Sequence, residues 1–176
     1  MLQTISRFWR RTFFAPETLD AMGEVPGGWA YLQSGKPVRV STFYLDIHPV
    51  TNRDYLSFIQ DTGAKTPQWM YRSGFNDPDQ PVVGITFADA RQYARWIGKR
   101  LPTDPEWVKA GAWPIPTSSV PKQRKYPWGD QLDADRANLW DSDIGRTVPV
   151  TEYIRGASAA GHHQLVGNHH SKEGNR

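Results

Sequence analysis

Cysteine is absent from all 176 residues, which excludes disulfide stapling, thiolate metal sites, iron–sulfur clusters and a cysteine nucleophile for this chain. Long apolar runs are absent too. No stretch approaches the roughly 20 apolar residues that span a bilayer, and Arg7, Arg10 and Arg11 interrupt the only N-terminal segment that a signal peptide would need apolar. The expectation is a cytoplasmic protein. A surplus of one charge is likewise missing outside the N-terminus. Lys and Arg number 21 against 18 Asp and Glu, and setting aside those three arginines leaves 18 against 18. Without a basic face or stripe, nucleic-acid binding loses its usual support. Repeats and low-complexity tracts are lacking as well.

What is present argues for one folded domain rich in turns. The length suits a single domain of roughly 100–200 residues. Hydrophobic residues make up 38%, with eight Trp among the aromatics, which supplies a core too large for a disordered chain. Fifteen Gly and 14 Pro predict short elements between long loops.

Leu2, Ile5, Trp9 and Phe13 stand at helical spacing among arginines. Residues 1–14 therefore read as an amphipathic helix packed on its own domain, a spacing shared by segments that lie on a membrane surface. Val25 to Leu32, a Gly/Pro turn running into an apolar segment, and Val38 to Ile47, rich in β-branched and aromatic residues, read as two strands. Three helices follow, each started by a threonine. Thr51 precedes Asn52 to Gln60, with Tyr55, Phe58 and Ile59 on one face; Thr86 and Asp89 precede Ala90, Tyr93, Ala94 and Ile97. Thr103-Asp104-Pro105-Glu106 is a capping box with Pro early in the first turn, where no backbone donor is lost. From Trp113 to Arg176 the helical period gives way to recurrent Pro, Gly, Asp and Asn, the pattern of irregular chain.

Several ordered blocks together resemble a known family. Pro26-Gly27-Gly28, Pro49-Val50-Thr51-Asn52, Pro81-Val82-Val83-Gly84-Ile85-Thr86 and Tyr93-Ala94-Arg95-Trp96 come first. Gly98-Lys99-Arg100-Leu101-Pro102-Thr103-Asp104-Pro105-Glu106-Trp107 is the densest match, to G-K-R-L-P-T-E-A-E-W. Tyr126-Pro127-Trp128-Gly129, Arg136-Ala137-Asn138-Leu139-Trp140, Gly145 to Val150 and Gly167-Asn168 continue in order. The chain resembles the formylglycine-generating enzyme family, the sulfatase-modifying factors, over about residues 25–168. The resemblance implies an α+β, C-type-lectin-like fold, loop-rich, with short helices and a small twisted antiparallel sheet. It divides the chain into an N-terminal amphipathic extension (1–24), the domain (25–168) and a polar tail (169–176).

Enzymes of that family use O2 to convert a sulfatase cysteine to formylglycine, with copper held by two cysteines, and other relatives form a domain of iron-dependent sulfoxide synthases or serve as binding scaffolds. Here Ala94 stands where many relatives carry the Cys of Y-C-x-W, and a copper-thiolate site is excluded because no cysteine exists. Where the family continues Gly-Asn with Val-Trp-Glu-Trp, this sequence reads Asn168-His169-His170-Ser171. The resemblance therefore implies a C-terminally incomplete domain, completed by a further segment or by a protein partner. Its expected function is that of a non-catalytic or truncated member acting as a binding or scaffold module. The alternatives are an accessory domain of an oxygen-dependent oxidase (formylglycine-generating or ergothioneine-type sulfoxide synthase) completed by another chain, and a lectin-like ligand-binding domain.

The resemblance also places Ca2+ at Asn138, Leu139 and either Asp141 or Asp143; the alternative is a loop in which Asn138 and Asp141 bond their own backbone. Asn168 matches the start of a second Ca2+ site. His162-His163 and His169-His170 are spaced so that they can bind Zn, Ni or Cu; against this, the first pair falls at a variable loop position of the family and the second in a polar tail. His48, at a strand end, reads as a surface or capping residue. Trp96, Trp107 and Trp128 fall where core packing accounts for them. Trp69 and Trp113, in loops, are the candidates for an exposed ligand surface.

Overall fold

A computed structural model describes residues 2–6, 21–32, 34–112, 123–139 and 142–168. The described strands are β1 (Ile5–Ser6), β2 (Met22–Val25), β3 (Gly28–Tyr31), β4 (Pro37–Val40) and β5 (Phe43–Asp46). They form a three-stranded antiparallel sheet in the order β1-β5-β2 and a separate β3-β4 hairpin. β5 sits at the centre because Phe43 and Leu45 alternate with Tyr44 and are both buried, the period of a strand with one face on a core.

Two expectations change here. The helix read over residues 1–14 is not formed over residues 2–6, where Ile5 pairs with Leu45 and Ser6 with Tyr44; residues 7–14 lie outside the described ones. Helical spacing in so short a piece yields to the unpaired edge that β5 offers. β1 and β2 thus bring Ile5–Ser6 and Met22–Val25 into the sheet. The single strand read from Val38 to Ile47 is two strands, parted at Ser41-Thr42, where the Thr42 hydroxyl accepts from Gly27 N at 3.0 Å.

The helices are α1 (Asn52–Thr62), α2 (Phe87–Trp96) and α3 (Asp104–Ala112). Thr51 with Asp54 and Thr86 with Asp89 both close complete capping boxes, each satisfying two exposed donors. At α3, Glu106 Oε2 accepts from Thr103 N at 2.8 Å, so the Glu half of the third box forms as read.

Two apolar clusters follow from this order. Val25, Ala30, Val40, Phe43 and Leu45 pack with Ala110 of α3 and Leu165. Leu2, Val50, Tyr55, Phe58, Val82, Ala90 and Tyr93 form the second, between α1 and α2. Tyr55 stacks on Tyr93 at 5.5 Å and Phe58 meets both rings edge-on, geometry that adds about 0.5–1.5 kcal/mol per pair beyond area burial. The architecture is α+β, with three α-helices and small antiparallel sheets among the described residues.

Candidate functional site

Among the described residues, those from Gln123 to Asn168 form no strand and no α-helix, and include short 3-10 turns at Ala134–Arg136 and Ile154–Gly156. Their backbone groups still need partners, and buried side-chain amides supply them. Asn168 Nδ2 donates to Val148 O (2.9 Å) and Gln164 Oε1 (2.7 Å), while its Oδ1 accepts from Val148 N (2.9 Å) and Asn138 Nδ2 (3.1 Å). Asn138 Nδ2 also donates to Arg146 O at 2.8 Å, and Gln164 Nε2 to Pro149 O at 2.9 Å. Gln80 Nε2 reaches Thr147 O at 2.7 Å, and Asn52 Nδ2 reaches the Phe75 and Asp77 carbonyls.

This network brings together two of the residues read as Ca2+ positions, Asn138 and Asn168. The Asn138 carbonyl accepts from Asn168 N at 2.8 Å and the Leu139 carbonyl from Ser142 N at 3.0 Å, leaving each a second lone pair. Asp143 is exposed with φ 55°, in the left-handed region, and Asp141 lies outside the described residues. Among the described residues no three or more His, Asp or Glu side chains are grouped to hold a metal ion.

The first histidine pair splits in two. His162, read in a variable loop, is fully buried, with Nε2 3.3 Å from Gly23 O and Nδ1 3.4 Å from Ser158 Oγ. Burial lowers its pKa against the carbonyl contacts that raise it. His163 turns instead to His48, their ring centroids 4.5 Å apart. His48 is thus half-buried against a second imidazole rather than a free surface residue. Sequence separation hid this pair, since nothing local links residue 48 to residue 163. His169 and His170 lie outside the described residues.

Two ion pairs and a buried lysine complete the polar interior. Lys99 pairs with Asp46, and Arg100 grips Glu106 through Nη1 to Oε2 (2.8 Å) and Nη2 to Oε1 (2.6 Å). Lys109, on α3, is buried with Nζ 3.4 Å from Trp29 O, and burial lowers its pKa. The Glu106 carboxylate is spent on Arg100 and Thr103.

Of the tryptophans, Trp69 is half-buried, edge-on to Phe75 at 4.7 Å and covered by the Arg72 guanidinium at 4.8 Å. Trp113 lies outside the described residues. Trp107 packs against the first core cluster as read. Trp96, read as core, is exposed at 39%: its ring touches Phe58 and Tyr93, but its indole N–H reaches Asp61 at the surface at 2.6 Å.

Comparison with known proteins matches residues 12–171 to the family model described as the sulfatase-modifying factor enzyme 1-like domain. The chain is 35% identical to a hercynine oxygenase of Mycolicibacterium thermoresistibile over 74% of its own length and 35% of that protein's. It is 36% identical to a serine/threonine-protein kinase Pkn1 of Chlamydia trachomatis serovar L2, covering 72% of this chain and 22% of the kinase. It is 26% identical to an inactive C-alpha-formylglycine-generating enzyme 2 of Bos taurus, over 84% of this chain and 68% of that one. The chain spans about a third of the length of the hercynine oxygenases that it matches.

Proposed function

Given that the chain belongs to the sulfatase-modifying factor enzyme 1-like family, we propose that it acts as a non-catalytic binding and positioning module with a C-type-lectin-like fold. The observation that carries this reading is the diversity of its relatives. The same region recurs at 34–36% identity in proteins named as oxygenases and in others named as protein kinases, where it makes up only a minor part of the chain. A domain attached to unrelated chemistries supplies recognition more readily than reaction. The lack of cysteine agrees, since residues 1–176 offer no thiolate to hold copper. Incubating the chain with Cu, O2 and a cysteine-containing sulfatase peptide tests it. No formylglycine should form, and conversion by this chain alone would overturn the reading.

The hercynine oxygenase matches favour a second reading, in which the module completes an oxygenase whose metal-binding residues lie outside these 176. Adding the chain in trans to a hercynine oxygenase lacking the matched region should then restore turnover. An unchanged rate would remove that reading and leave the first. In either case we infer that the Asn138 loop takes Ca2+; what supports this is the hard-donor chemistry of the Asn138 and Leu139 carbonyl oxygens and of the Asp141 and Asp143 carboxylates in the same stretch of sequence.

A further inference from the structure

His48 and His163 meet where the corner after β5 faces the segment that leads into Gln164. His48 Nδ1 lies 3.2 Å from the Val150 carbonyl; a carbonyl only accepts, so Nδ1 carries the proton and Nε2 keeps its lone pair. The two rings are tilted at 47°. His163 Nδ1 is buried without a hydrogen-bond partner. The Gln3 amide lies against the same residue, its Nε2 donating to Asp46 O at 3.1 Å and His163 O at 3.4 Å, and its Oε1 is also buried and unpartnered. A buried polar atom left unpaired costs about 1–3 kcal/mol. His163 Nδ1, beside the His48 ring, is therefore an atom that calls for a partner.

We propose that His48 and His163, assisted by Gln3 Oε1 or water, bind one divalent transition-metal ion of the Zn2+ type. Imidazole nitrogens select Zn, Ni or Cu over Ca or Mg. A histidine that donates its other ring N–H to a backbone carbonyl is held as metal-binding histidines are held, with the free nitrogen aimed. Centroids 4.5 Å apart are within reach of one ion that bonds a nitrogen of each ring at roughly 2.0–2.1 Å. Burial lowers the pKa of both imidazoles, and His48 adds to the effect on His163, so both are neutral and able to ligate at pH 7. Water would take the remaining positions, as in open zinc sites. His162 is not part of the set, because its nitrogens face Gly23 and Ser158.

Zn2+ alone, titrated into the chelator-treated full chain near neutral pH and followed by calorimetry, tests the proposal, with Co2+ absorption as a second probe. One ion per chain should bind and raise the Tm by mass action. His48→Gln and His163→Gln should each weaken binding at least about tenfold, whereas H169A/H170A should not. Should either Gln variant fail to fold, wild-type histidine NMR decides: Zn2+ must shift the His48 and His163 imidazole signals. No saturable uptake, uptake that survives both Gln variants, or uptake lost only in H169A/H170A would each overturn the site.

Discussion

Lys99 Nζ lies 2.7 Å from Asp46 Oδ1, with side-chain exposures of only 11% and 10%. Asp46 Oδ2 accepts from Thr4 N at 2.8 Å and from the Thr4 hydroxyl as well. One carboxylate thus joins the segment leading into β1, the end of β5 and the turn after α2. Burial pushes the Asp46 carboxyl up by more than Lys99 and Thr4 pull it down. Removing one partner of such a pair leaves a buried charge, so Lys99→Met should cost about 3–5 kcal/mol in urea unfolding. Adding Asp46→Asn should recover part of that loss in a double-mutant cycle. Full additivity of the two changes would show that the pair is not coupled.

Glu106 gives the stability of the chain a dependence on acid pH. Burial raises its pKa, but the Arg100 guanidinium and the Thr103 N–H and hydroxyl lower it further, to about 2. A folded pKa below the unfolded value of 4.5 stabilises the fold above pH 4.5, and that contribution is lost as the pH falls towards 2. It amounts to roughly 2–3 kcal/mol. Glu106→Gln should be less stable at neutral pH and lack this part of the acid loss. Parallel pH profiles for the two proteins would contradict the assignment.

Gly156 and Gly63 separate close approach from backbone conformation. A Cβ at Gly156 would run into the Arg136 carbonyl oxygen, where Arg136 Nη1 also donates to Arg155 O at 2.7 Å. Gly63 has φ 70° with open space around it. Gly63→Ala should cost about 1–2 kcal/mol, the left-handed penalty, and Gly156→Ala about 3 kcal/mol or more. Equal losses in denaturant unfolding would mean that the two 3-10 turns are not pressed together.

Calcium at the Asn138 loop should show in thermal unfolding. Adding Ca2+ to chelator-treated protein is expected to raise the Tm, and chelation to reverse the rise. Asp141→Ala and Asp143→Ala, measured separately, identify the carboxylate: the ligand's variant loses the shift and the other keeps it. A Tm indifferent to Ca2+ in the wild-type chain would leave Asn138 with a purely structural role, holding Arg146 O and Asn168.

The helices and their starts were legible in the sequence because their causes are local. Thr51 with Asp54 and Thr86 with Asp89 lie three residues apart, and the Tyr55, Phe58 and Tyr93 faces follow from a 3.6-residue period. The family was legible for a similar reason, since its blocks are contiguous strings such as Gly98 to Trp107. Ile5 and Ser6 were misread as helix because they pair with Leu45 and Tyr44, and which strand offers an edge is not encoded near Ile5. Trp96 was misread because one turn of helix decides whether an indole N–H points inward or reaches Asp61.

The sequence by itself therefore determined where helices begin, which of their faces are apolar, and that this chain holds no thiolate. Only the tertiary structure decided which amide satisfies which loop carbonyl, that His162 is sealed in while His163 turns to His48, and that Asp46 collects Thr4 and Lys99. Capping and periodicity act over three or four residues, whereas a buried amide or imidazole takes whatever partner the folded chain brings to it from far along the sequence.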